Sequence, residues 1–209
     1  MSLIQDLNWR YATKNMNGET VSAEKLSAVL AAINLAPTSY GLQPFTVLVV
    51  SNEASKNKLQ AAAYGQPQVG SSSAVLVFAV PLEISGADIE KFIQHVAITR
   101  SIPAETLDGY KGMIIGTVGA LPAEQQQIWS AKQAYIALGT ALAAAAEQQV
   151  DACPMEGFDA AQFDEILGLT EKGLKAVVIM PVGYRSEDDA TAEYIKVRKN
   201  ESELFHFVK

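Results

Sequence analysis

Three stretches of this chain are apolar almost throughout and rich in β-branched residues, at residues 45–50, 74–80 and 174–182, with only Thr46 and Lys175 as polar positions among them. Strict alternation marks a strand with one wet face, whereas a short unbroken apolar run bounded by polar residues predicts a strand covered on both faces. Elsewhere the apolar positions recur at three and four. Leu3, Ile4, Leu7 and Tyr11 predict a first helix, and Leu26, Val29, Leu30 and Ile33 a second, opened by Ser22 as N-cap and closed before Pro37. Ser51 or Asn52 caps a helix running to about residue 63.

The second half is more helical. Residues 87–119 predict helix with a break near 101–103, where Pro103 removes a backbone donor. Residues 123–149 form the strongest helical pattern, with Ile128, Tyr135, Ile136, Leu138, Leu142 and an alanine tract at 143–146. A helix so apolar is expected to be buried on most sides, in a domain centre or a dimer core. Asp159 caps a short helix through Leu167, and residues 64–68 read as a polar turn. From Tyr184 the chain is polar, yet it ends on Leu204, Phe205, His206, Phe207 and Val208, a tail ready to dock. Helices alternating with strands admit a parallel Rossmann sheet, but no glycine-rich dinucleotide or phosphate loop follows any strand. The expected fold is therefore α+β, a mixed central sheet flanked by helices, in a single domain over residues 1–209.

Composition narrows the function. The net charge of -7 argues against a nucleic-acid partner, which calls for a basic footprint. The single cysteine, Cys153, rules out an internal disulfide, and two histidines, His95 and His206, leave little for a metal cluster. No apolar run reaches membrane-span length, and the N-terminus lacks the basic start and apolar stretch of a signal peptide. No membrane association is expected, and a cytoplasmic location follows.

Against the acidic background, basic residues stand out near both ends: Arg10 and Lys14 in Trp9-Arg10-Tyr11-Ala12-Thr13-Lys14, and Lys196 and Arg198 in Tyr194-Ile195-Lys196-Val197-Arg198-Lys199. Arg10 and Lys14 would share one face of a helix, and Lys196 and Arg198 one side of an extended segment. Each pair alone also suits a solvated surface. Gathered in one place, they would build an anion site, most simply for a phosphate. Between them lie Pro37-Thr38-Ser39-Tyr40-Gly41-Leu42-Gln43-Pro44-Phe45, Gly65-Gln66-Pro67-Gln68, Lys132-Gln133-Ala134-Tyr135 and Pro154-Met155-Glu156-Gly157-Phe158.

In that order and at those spacings, the motifs resemble the nitroreductase and flavin reductase family, over essentially the whole chain. The resemblance implies FMN as cofactor, with NADH or NADPH as co-substrate. Arg10 would hold the phosphate with Lys196 and Arg198, and Lys14 would lie by the flavin N1 and O2 edge, with Tyr11 and Ala12 between them. Ala12 stands where the family has serine, so one hydroxyl is missing, though Thr13 adjoins it. Ile195 replaces the usual proline before Lys196. Pro37, Thr38, Ser39 and Gly41 would reach the partner subunit's flavin. Gln66 or Gln68 would meet the pyrimidine edge, where a carboxamide can both donate and accept. Gln133 would neighbour the ring. Pro154, Met155, Glu156 and Gly157 would lie along its face, with the Glu156 backbone N–H near N5. No side chain is a strict catalytic residue in this reading. Tyr40, Tyr110, Met113 and Ile114 would face the substrate.

The resemblance further implies an intertwined homodimer with FMN at the interface and a C-terminal tail, about 184–209, wrapping the partner. The implied activity is hydride transfer in ping-pong fashion to small aromatic acceptors: nitroaromatics, quinones or flavins. A dihydropteridine reductase-like or other specialised member of the fold, or a flavin-binding protein without turnover, are the alternatives. Cys153 reads as a small buried hydrophobe rather than a nucleophile.

Overall fold

The computed structural model describes residues 2–208. In chain order the helices and strands are α1 (Leu3–Trp9), α2 (Ala23–Leu35), β1 (Thr46–Val50), α3 (Glu53–Ala62), α4 (Pro67–Gly70), β2 (Ala74–Pro81), α5 (Gly86–Arg100), α6 (Asp108–Ile114), α7 (Ala123–Glu147), β3 (Asp151–Ala152), α8 (Ala160–Leu167), β4 (Leu174–Gly183) and α9 (Glu201–Leu204). The N-caps expected at Ser22 and Asp159 form, and Asn52 rather than Ser51 caps α3. The break in the 87–119 region falls at Ser101, which takes a left-handed conformation just before Pro103.

The sheet has the order β1-β2-β4-β3. It corrects one expectation: the sheet is not mixed, because β1 with β2, β2 with β4 and β3 with β4 all pair antiparallel. The one parallel pairing among the described residues is a single bridge, Ala12 to Ala152. The α+β class stands.

Strand β2 explains the layering. Leu76, Phe78 and Val80 point to one face, into a cluster with Val29 and Ile33 of α2 and Ala134, Ala137 and Ala141 of α7. Val75, Val77 and Ala79 point to the other, against Leu59 of α3 and Phe163 of α8. Both faces are covered, which is why the sequence there is apolar throughout. The outlying strand β1 is different: Thr46 and Val49 are exposed. A third cluster, built from Ile89, Ile93, Leu107, Ile114 and Val118, joins α5 and α6 away from the sheet.

Helix α7 is buried on one face only. Ala134, Ala137, Ala141 and Ala145 are sealed against the sheet, and their small side chains let the helix approach closely. On its other side Ile128, Tyr135 and Ile136 are exposed.

Candidate functional site

Helix α1 ends at Trp9, and Arg10 is already extended, with φ -68° and ψ 145°. Arg10 and Lys14 therefore do not share a helix face. The segment after Trp9 instead runs through the fold: Ala12 bridges Ala152, Met16 bridges Arg185, and Ser186 N–H donates to the Asn15 carbonyl at 3.0 Å. These long-range pairings outweigh the short-range helical spacing. The buried Thr13 hydroxyl donates to Asp151 at 3.3 Å, so it does not replace the serine hydroxyl missing at Ala12.

Asp189 fastens the beginning of the tail to this segment. Its carboxylate accepts from the backbone N–H of Lys14 at 2.8 Å and of Asn15 at 3.2 Å, and from the Tyr11 hydroxyl at 3.0 Å. Burial works to raise its pKa, but the Thr191 hydroxyl and the backbone donors prevail and hold it at about 2. Tyr11 moves the other way, to about 12, through burial and its bond to Asp189. Lys196 Nζ donates to the Asn8 carbonyl at 2.7 Å. The first part of the tail thus docks on the N-terminal segment of its own subunit, while residues 199–208 are exposed.

This docking gathers the cations. Burial and then the nearby Arg198 charge lower the Arg10 pKa. Lys196 is lowered by burial and by Arg10, Arg198 and Arg185. Arg185 is neutralised by Asp151, but no salt bridge engages Arg10, Lys196 or Arg198 among the described residues. The buried Arg10 Nε has no hydrogen-bond partner among the described residues. An orphaned guanidinium N–H within a cluster of like charges is a costly arrangement that an anion with several oxygens would relieve.

Next to the cations, Lys14 Nζ lies 3.8 Å from Cys153 Sγ. Cys153 is fully buried, and burial raises its pKa against the opposing effect of Lys14. The Gln68 amide nitrogen is 3.5 Å from Met155 Sδ and 3.2 Å from Gln66 Oε1. Gln68 is 2% exposed and lies behind Gln66, which is half-buried and donates to the Gly157 carbonyl at 2.7 Å. Of the two glutamines, Gln66 is the one at the surface. Met155 exchanges both backbone hydrogen bonds with Ile179, while the backbone N–H groups of Glu156 and Gly157 have no acceptor among the described residues. Pro154 is half-buried beside them. Arg10, Lys14, Cys153, Gln66, Met155, Glu156 and Gly157 so form a continuous strip: cations at one end, free amides at the other.

The 37–41 loop belongs elsewhere on the subunit. Pro37 is exposed, the Ser39 N–H donates to Gln133 Oε1 at 2.9 Å, and Thr38 Oγ1 accepts from the Gln43 N–H at 3.1 Å. Tyr40 and Gly41 both take positive φ, 58° and 64°. Tyr110 donates to the Tyr40 carbonyl at 2.5 Å, and the two rings stand 6.2 Å apart. Met113 is exposed, but Ile114 is fully buried in the third cluster and offers no surface to a substrate within the subunit. A cavity of about 480 Å³ between this loop and α5 is lined by Leu42, Phe45, Phe92 and His95 and contains none of the clustered cations. A cavity of about 320 Å³ lies beside the strip, lined by Tyr135, Leu138, Pro154, Met155, Glu156 and Val178. No metal-binding group of His, Cys, Asp or Glu occurs among the described residues, and no described helix is long and apolar enough to cross a membrane.

Residues 7–184 match the family model described as "Nitroreductase family". The chain belongs to the nitroreductase family. An oxygen-insensitive NAD(P)H nitroreductase of Enterobacter cloacae is 30% identical over 207 residues, covering 95% of each chain. The major NAD(P)H-flavin oxidoreductase of Aliivibrio fischeri is 27% identical over 205 residues, covering 94% of each. Among solved structures, a protein of Exiguobacterium sibiricum in complex with FMN superposes with a TM-score of 0.84, at 22% identity, over 100% of this chain and 98% of that one. At that identity the likeness establishes the nitroreductase fold.

Asp151, Asp189 and Arg185 carry much of the geometry of this nitroreductase site, yet none lies in a motif, and Tyr135 lies in one without a role assigned to its side chain. The one usable signal is Asp151: an acid opening an apolar segment is destabilising unless a cation meets it.

Proposed function

We propose that this chain is an FMN-dependent NAD(P)H oxidoreductase that works as a homodimer. The observation that carries the reading is the unpartnered Arg10 Nε, buried beside Lys196 and Arg198 in a chain of net charge -7. That donor set suits a phosphate monoester, and the strip leading from it to the free Glu156 and Gly157 amides suits a flat, electron-accepting ring. When bound, FMN would take hydride from NAD(P)H and pass it to a nitroaromatic, quinone or flavin acceptor, one partner after the other.

The protein's part is binding and charge. Arg10, Lys196 and Arg198 hold the phosphate. Lys14 supplies a cation near the ring, Gln66 an amide at its edge, and Glu156 and Gly157 their backbone donors. The Pro37–Gly41 loop, anchored on α7 through Gln133, serves the ring of the partner subunit, with Tyr40, Tyr110 and Met113 lining the acceptor side. Exposed Ile128 and Ile136 on α7, and Leu204, Phe205, Phe207 and Val208 in the tail, provide apolar surface for that partner. A cytoplasmic setting supplies the nicotinamide nucleotides and keeps Cys153 reduced.

The test is an anaerobic absorbance titration of the purified protein with NADH and then NADPH. Bleaching of a yellow protein, reversed by a quinone or nitroaromatic, supports the reading. A yellow protein that neither nucleotide bleaches is a flavin carrier, and a protein that stays colourless after incubation with FMN overturns the proposal.

A further inference from the structure

Tyr135 projects from the exposed side of α7, and its hydroxyl donates to Glu156 Oε1 at 2.5 Å. This bond spans 21 residues and joins the long helix to the turn that bears the free amides. The turn is otherwise held by its neighbours on either side: Met155 by Ile179, at 2.9 and 3.0 Å, and the Gly157 carbonyl by Gln66. Only the Glu156 side chain could move freely without Tyr135. The adjoining cavity of about 320 Å³ gives it room to do so.

The consequence is electrostatic. Carboxylate and amide belong to the same residue, so a released Glu156 side chain can fold back toward the Glu156 and Gly157 N–H groups. There it would compete for those donors and set a negative charge where the site needs positive polarity. The geometry points to Tyr135 as a positioning residue: it holds the Glu156 carboxylate against α7 and so keeps the two amides available to the electron-rich edge of a bound ring. Burial and the Glu156 contact both push the Tyr135 phenol pKa upward, so it remains a donor across the neutral range.

The inference rests on the FMN reading above. Its strongest consequence is for the reduced cofactor, which carries more charge than the oxidised form and gains more from the amides. The experiment is a redox titration of the FMN-loaded protein against a dye of known potential, for wild type, Tyr135→Phe and the double variant Tyr135→Phe/Glu156→Gln. Tyr135→Phe is expected to bind oxidised FMN as wild type does but reduced FMN about tenfold less tightly, a shift of about 30 mV to more negative potential for a two-electron couple. The double variant, lacking the charge, should return toward the wild-type potential. An unchanged potential in Tyr135→Phe overturns the inference while leaving the FMN reading intact. Equal weakening of both redox states, not rescued by Glu156→Gln, shows a merely structural contact and also overturns it. A wild-type protein that binds no FMN overturns both.

Discussion

Arg185 grips Asp151 with a forked set of hydrogen bonds: Nη2 to Oδ1 at 2.6 Å, Nε to both carboxylate oxygens at 3.0 and 3.1 Å, and its own backbone N–H to Oδ2 at 2.9 Å. Asp151 is 3% exposed, and the guanidinium also lies 4.3 Å from the Trp9 ring centroid and 4.7 Å from that of Tyr11. The pair therefore ties the start of β3, the end of β4 and the segment after α1 into one knot. Removing Asp151 leaves the half-buried Arg185 guanidinium and the Thr13 hydroxyl without their partner. Asp151→Ala should cost about 1.5–3 kcal/mol of unfolding free energy, the range for lost hydrogen bonds to a charged group. Urea unfolding of the apoprotein measures it, and a loss below about 1 kcal/mol would mean the knot is held elsewhere.

The clustered cations predict an unusual split between binding and stability. Arg10 is held near Arg198 and forms no salt bridge among the described residues, so Arg10→Ala relieves repulsion in the empty protein. Its apo melting temperature should stay level or rise. FMN affinity should meanwhile fall about tenfold to a hundredfold, the value of one or two charge-assisted hydrogen bonds. Riboflavin, which lacks the phosphate, should bind both proteins alike. Fluorescence-quenching titrations with the two flavins would decide; equal weakening for both would place Arg10 away from the phosphate.

Asp189 gives the site an acid limit. Its folded pKa, about 2, lies below the ordinary 3.8. A depressed carboxylate stabilises the fold fully above its unfolded pKa, and that contribution is lost as pH falls through the folded value. The window is thus from about pH 4 down to about pH 2. Wild type should lose stability there, and Asp189→Asn, less stable at neutral pH, should show a flatter acid profile. Parallel urea midpoints for the two proteins across this range would test it; identical slopes would remove Asp189 from the acid response.

Much of this was legible in the chain, for definable reasons. Burial on both faces left β2 without a polar position, and the side chains of Ser22 and Asp159 capped helices through neighbours three residues on, so short-range pattern was enough. The basic residues from the two ends of the chain do meet, Lys196 and Arg198 lying by Arg10. What sequence spacing could not show depended on distant partners. Arg10 and Lys14 sit four apart, as on a helix, but pairing of Ala12 with Ala152 and Met16 with Arg185 draws their segment out straight. Thr13 turns inward because Asp151 is there to receive it. The antiparallel course of the sheet, and the choice of Gln66 over Gln68 as the surface amide, were equally matters of tertiary contact.

The free amides lead to a last prediction, which separates backbone from side chain. A Cβ built at Gly157 would meet the Gln66 amide nitrogen at 3.3 Å, close enough that the neighbour must yield. That nitrogen is the group holding the Gly157 carbonyl. Gly157→Val would therefore push Gln66 aside, loosen the turn and crowd the face on which a flat ring would rest. Glu156→Gln changes much less: its amide oxygen can still accept from Tyr135, and the backbone N–H groups stay where they are. FMN content after purification should fall severely in Gly157→Val, with affinity reduced by about a hundredfold, about 2.7 kcal/mol. Glu156→Gln should keep most of its flavin. Equal losses in the two variants would move the recognition from the backbone of this turn to the Glu156 carboxylate, and the role assigned to the amides would fail with it.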